Sequence, residues 1–141
     1  MSAPFRLRAP NRRPEADLQR QVASMLRAYL PGEVWFTTSL SGVPLTPAIA
    51  RAAKSAGMER GAPDISIVLP DGDTRYVELK AAGGVLTPEQ RVLAAVLGDR
   101  FAVCRSWPEV RAVVGGWLQL HDLAWLTDAQ SVRRQLPRRT A

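Results

Sequence analysis

A chain of 141 residues, 46% of them hydrophobic, is long enough for one ordinary domain with a real core. It holds no run of about eighteen apolar residues, the minimum for a membrane span, and its arginine-bearing N-terminus lacks the apolar stretch of a secretory signal. The single cysteine, Cys104, rules out an internal disulfide or a cysteine zinc site, while a net charge of +6, built almost wholly on arginine, points to a polyanionic partner.

In chain order, residues 1–13 are rich in Pro and Arg and read as a flexible basic N-terminus. Pro14 opens a first helix, since proline suits the first turn, with Leu18, Val22, Met25, Leu26 and Tyr29 as its apolar stripe. Glu15 lies three residues before Leu18 on that stripe. It either complements the helix dipole or serves as a further acid beside a metal. Pro31-Gly32 ends the helix, residues 34–38 read as a strand, and 39–45 as a polar loop. Thr46-Pro47 caps a second helix over 48–56, which Gly57 stops. Arg51, Lys54 and Arg60 either form a solvated surface or follow a phosphate backbone.

The most informative stretch comes next. Pro63-Asp64 leads into Ile65-Ser66-Ile67-Val68-Leu69, a β-branched apolar strand; Pro70-Asp71-Gly72-Asp73 is turn chemistry, and Thr74-Arg75-Tyr76-Val77 returns as a second strand. Alternation puts Glu78 and Lys80 on one face and Leu79 on the other. The partner strand brings Asp64 to the same end of the hairpin. Two carboxylates beside an ammonium suit a divalent cation and a phosphodiester. Each residue alone reads more readily as a solvated strand charge, since most strand charges face water; the combination is what points to chemistry. Residues 81–84, Ala-Ala-Gly-Gly, form a permissive loop beside it.

Thr87-Pro88-Glu89-Gln90 opens a third helix, continued by Val92, Leu93, Val96 and Leu97. Thr87 and Gln90 match a capping box; capping and a place in a site could each hold in different states, but one amide is not expected to satisfy both geometries at once. Residues 100–105 read as a strand with Cys104 as a small core residue. Ser106-Trp107-Pro108-Glu109 reads as a second capping box, starting a helix with Val110, Val113, Val114, Trp117 and Leu118. His121, the sole histidine, suits a surface or partner contact. The apolar segment from Trp117 to Leu126 either covers the core or forms a subunit interface. Residues 127–141 read as a basic tail. No Cys/His cluster suggests zinc, and no phosphate-loop motif suggests a nucleotide cofactor.

The ordered series Gly57-Met58-Glu59-Arg60-Gly61-Ala62-Pro63-Asp64, Val77-Glu78-Leu79-Lys80, Gly84-Val85-Leu86-Thr87-Pro88-Glu89-Gln90 and Val103-Cys104-Arg105-Ser106 resembles a VRR-NUC domain, the virus-type replication-repair nuclease branch of the PD-(D/E)XK superfamily. The resemblance runs from about residue 15 to 114. It implies a single α/β domain over 14–126, with a restriction-endonuclease-like core and a mixed sheet flanked by helices. It also implies a structure-selective endodeoxyribonuclease dependent on Mg²⁺ or Mn²⁺. Asp64, Glu78, the Leu79 carbonyl and Glu15 would hold the metal. Lys80 would act on water or phosphate, and Gln90 would reach the active site. Stand-alone members are similar to Holliday-junction resolvases. That implies branched DNA such as junctions or flaps as substrate, a homodimer, a role in DNA repair or recombination, and the cytoplasm of a bacterial or phage-infected cell. The rival readings are a non-catalytic DNA-binding module of the same fold and an RNA nuclease.

Overall fold

The computed structural model describes residues 14–39, 46–58 and 61–137. The expected basic N-terminus (1–13), most of the 39–45 loop, Arg60 and the arginines at 138–139 lie outside them. Nine elements follow in order: α1 (Pro14–Tyr29), β1 (Trp35–Thr38), α2 (Pro47–Ser55), β2 (Ile65–Val68), β3 (Thr74–Leu79), α3 (Pro88–Leu97), β4 (Phe101–Cys104), α4 (Trp107–Gln119) and α5 (Asp128–Gln135). Among the described residues no helix is long and apolar enough to cross a membrane.

The strands form one mixed sheet in the order β1-β2-β3-β4. The first three are antiparallel neighbours, and β4 returns parallel to β3 after the α3 crossover. The expected hairpin is present, with Ile65 opposite Val77 and Val68 opposite Thr74. Its turn closes through Leu69 N–H donating to the Asp73 carbonyl at 2.8 Å. Ile65 and Ile67 of β2, Val77 and Leu79 of β3 and Cys104 of β4 alternate onto one face. There they meet Val22 and Leu26 of α1 and Val110, Val114, Trp117 and Leu118 of α4 in a single core. Cys104 is a core residue as expected; burial, and after it the charge of Glu109, pushes its thiol up to about 11.

The buried face of α1 is Ala16, Gln19, Val22, Ala23 and Leu26. Leu18, Met25 and Tyr29, expected on the stripe, are only partly buried, and Glu15 is exposed. Tyr29 keeps its hydroxyl at the surface, donating to Asp128 Oδ1 at 2.9 Å. Ser106 caps α4 by accepting from Glu109 N–H at 3.3 Å, but the Glu109 carboxylate takes the Arg105 N–H instead of completing the expected box.

The segment expected to open a basic tail is helical. Thr127 and Gln130 form a reciprocal capping box for α5, and the backbone ties to α1 through Leu126 N–H donating to the Tyr29 carbonyl at 2.8 Å. The apolar stretch before it closes the domain's own core. Trp117 and Leu118 are buried, and Leu123 and Trp125 pack against the core, leaving Leu120 outward. His121 turns to the hairpin end of the sheet, 2.8 Å from Asp73 Oδ2, where Asp73 also takes Arg75 and Arg100. Burial works to raise the Asp73 pKa, but hydrogen bonds from His121 and Arg75 and the charges of Arg75 and Arg100 outweigh it and hold the carboxyl below the usual range.

Candidate active site

The C-terminal end of β3 gathers the predicted acids. Asp64 sits just before β2, and its Oδ2 accepts the Leu79 N–H at 2.7 Å. A side chain thus takes the place of a strand neighbour at the end of the ladder and holds the Asp64 carboxylate beside β3. From the other side, Lys80 N–H donates to the Cys104 carbonyl at 3.0 Å, fixing the chain as it leaves the strand. Leu79 points into the core while Glu78 faces the opposite side of the sheet, as alternation requires.

Glu78 is only 3% exposed and Lys80 only 7%. Lys80 Nζ lies 3.7 Å from Glu78 Oε1, and the Gln90 side-chain N–H donates to the same oxygen at 2.7 Å. Among the described residues the second oxygen, Oε2, is buried without a hydrogen-bond partner. Burial first, and then the Asp64 charge, push the Glu78 carboxyl up to about 7, although Lys80 pulls the other way.

Gln90 does two jobs at once, contrary to the expectation that one amide could not. Its carbonyl Oε1 accepts Thr87 N–H at 2.9 Å, and Thr87 Oγ1 accepts Gln90 N–H at 3.2 Å, which completes the capping box of α3. The –NH₂ of the same amide is left to donate to Glu78. Gly61 lets this helix start approach: it adopts φ +83°, and a Cβ there would lie 3.0 Å from Glu89 Cβ.

Glu15 reaches the rim, its Oε1 3.5 Å from Ala81 N. A Cβ on Gly84 would sit 3.5 Å from that same oxygen and 3.1 Å from the Ala81 carbonyl, so the glycine keeps the loop close to α1. Arg51 and Lys54 lie on α2, which buries no residue; both are exposed, and neither forms an ion pair among the described residues. Among the described residues no three Asp, Glu, His or Cys side chains converge as a ready cation cage.

Two residues were not singled out from the sequence. Arg105 reaches back from the end of β4 to donate to the Ala81 carbonyl at 2.8 Å, beside Lys80. Gln19, buried in α1, donates to the Ser39 carbonyl at 3.2 Å, and Ser39 N–H in turn donates to the Asp64 carbonyl at 2.8 Å. The spacing Ala16, Gln19, Ala23, Leu26 carried the signal for Gln19, a polar group on a three-to-four-residue buried stripe.

Compared with family models, curated proteins and solved structures, the chain gives no match.

Proposed function

We propose that this chain is a divalent-metal-dependent nuclease that hydrolyses phosphodiester bonds in DNA, on a restriction-endonuclease-like core, and that branched DNA such as four-way junctions or flaps is its substrate. The observation that carries the reading is Glu78. One of its oxygens is held by Gln90 and Lys80 while the other, among the described residues, is buried with no hydrogen-bond partner. Leaving a buried acceptor unsatisfied costs about 1–3 kcal/mol, more for a charged group, and a bound ion or a catalytic role is among the reasons a native fold carries such a group.

The residues present fit Mg²⁺ or Mn²⁺. Such cations take one or two carboxylates and complete their shell with water and phosphate oxygens. Asp64 and Glu78 supply the carboxylates, the Leu79 carbonyl follows Glu78 directly in the chain, and Glu15 at the rim acts through water. A cation bound there supplies Lewis acidity toward the phosphate and lowers the pKa of bound water. The chain's own groups do the rest. Gln90 holds Glu78 Oε1 and so leaves Oε2 to be offered, Lys80 supplies positive charge where charge develops on the phosphate or attacking water, and Asp64 is oriented by the Leu79 amide. Resolving a four-way junction takes two matched cuts, which a homodimer with one site per copy provides.

The test is a cleavage panel of junction, flap, duplex and single-stranded DNA and RNA with Mg²⁺, Mn²⁺ or chelator, run on the wild type, Asp64→Asn and Glu78→Gln. Metal-dependent cutting of branched DNA, abolished in both variants with DNA binding retained, is expected. A variant that keeps more than about a tenth of the rate, roughly 1.4 kcal/mol of barrier, removes that acid from the primary ligands. Binding without any cleavage leaves a DNA-binding module.

A further inference from the structure

Away from the carboxylates, α1, α4 and the chain entering α5 line a partly open cleft of about 360 Å³, with Met25, Tyr29, Trp107, Arg111, Trp125 and Asp128 among its walls. That volume lies within the range of small-molecule sites, and none of these residues belongs to the Asp64–Glu78–Lys80 group. Its aromatic wall is fixed in advance. Trp107 and Trp125 meet edge-to-face, with centroids 5.6 Å apart and planes at 69°. Trp125 Nε1–H donates to the Arg111 carbonyl at 3.2 Å. Gly115 leaves just enough room for that indole, since a Cβ there would come within 3.0 Å of Nε1.

The polar groups are incompletely used. Asp128 Oδ1 accepts from the Tyr29 hydroxyl, but its second oxygen takes no hydrogen bond among the described residues. The Arg111 guanidinium has no hydrogen bond or ion pair there either. Both act on the same spot: the Asp128 hydrogen bond and charge raise the Tyr29 pKa, and the Arg111 charge opposes them.

These groups select a ligand chemistry. Aromatic rings with one carboxylate would suit a quaternary ammonium, but the Arg111 charge repels a cation. A lone phosphate or carboxylate would pair with Arg111 and be repelled by Asp128. A neutral planar ring with an acceptor next to N–H donors satisfies both and also stacks on indole. Guanine has that edge: its O6 accepts from a guanidinium, and its N1–H and N2–H donate to a carboxylate. We propose that this cleft binds a guanine base. The base comes either from a free guanine nucleotide or from a guanine unstacked out of a nucleic acid; the recognition chemistry is shared.

Binding is read by NMR of the ¹⁵N-labelled tryptophan indoles of the full chain, titrated with guanosine, adenosine, cytidine and uridine, and with single-stranded oligonucleotides with and without guanine. The readout involves no cleavage, so it stands or fails separately from the nuclease reading. Saturable shifts of the Trp107 and Trp125 indoles with guanosine, and none for Trp35 out on β1, are expected and identify a free nucleotide. The same shifts only with the guanine-containing oligonucleotide identify an unstacked base. Asp128→Asn, which puts a donor where an acceptor stood, should weaken guanine binding at least about tenfold and erase the preference over adenine. Arg111→Gln should weaken it comparably. Both side chains are exposed, so the fold survives either change. No saturable shift with any probe, equal response to all bases, or wild-type selectivity in Asp128→Asn overturns the proposal.

Discussion

Glu78 holds its proton more tightly in the fold than in the unfolded chain, and that has a measurable sign. Its carboxyl is raised from 4.5 to about 7, by burial first and by Asp64 second. The resulting stability is fully present below about pH 4.5 and fades as the pH climbs through 7. In chelator, chemical denaturation should therefore give a less stable protein at pH 8 than at pH 5, by up to roughly 3 kcal/mol. Glu78→Gln should flatten the profile, and Mg²⁺ or Mn²⁺ should restore stability selectively at pH 8. Asp73 does not confound the comparison. Its lowered pKa gives a contribution lost only as the pH falls below the ordinary carboxylate range. A flat wild-type profile between pH 5 and 8 would show that Glu78 is not buried as described. The convergence of Asp64, Glu78 and Lys80 was legible in the sequence, because strand alternation and a short hairpin leave little freedom. The unpartnered Oε2 was not, since it depends on where Gln90 and Lys80 place their hydrogens.

At the scale of elements, the start of α3 is part of the site. The T-x-x-Q pattern gave the cap but hid the second contact, because a capping box uses only the amide's carbonyl and leaves its –NH₂ free for Glu78. Thr87→Ala removes the hydroxyl cap, a change of about 0.5–2 kcal/mol, and loosens the Gln90 amide without touching Glu78. Its cleavage rate should fall more than its stability explains. Gln90→Ala should lower the rate further and reduce metal affinity, measured by calorimetry. Full activity in Gln90→Ala with only a lower Tm would confine that residue to capping. The same pattern at Thr127 and Gln130 starts α5, yet the arginines that follow made the segment read as a tail. Composition outweighed a local signal there, and the tether to Tyr29 supplies the tertiary anchor that a sequence does not display.

For the whole molecule, the order of helices and strands from α1 to α4 was readable from periodicity and turn chemistry, up to shifts of a residue or two at the boundaries, while α5 was not. The fate of the apolar segment after Trp117 was not. The hydrophobicity of a segment does not say whose core it fills, and here Trp117 turns inward beneath the Arg75 guanidinium, 5.8 Å from its ring. Charge is the other global property. With a formal net charge of +6, binding to duplex DNA should weaken as salt rises, with a log–log slope near −0.9 for each phosphate neutralised. Fluorescence anisotropy between low and physiological salt measures it, and an unchanged affinity would remove a polyanion as the partner.

The pairing of β4 in parallel with β3 also orders events in time. Asp64, Glu78 and Lys80 lie within the β2–β3 hairpin and its flanks, so bringing them together closes only a short loop. The Lys80–Cys104 backbone bond waits for the longer excursion through α3. Contacts of small sequence separation form at the lowest entropic cost. On that ordering the two acids would meet while still hydrated and be sealed from water only by the crossover, so a Glu78→Gln variant is expected to change the unfolding rate more than the folding rate if their repulsion acts late.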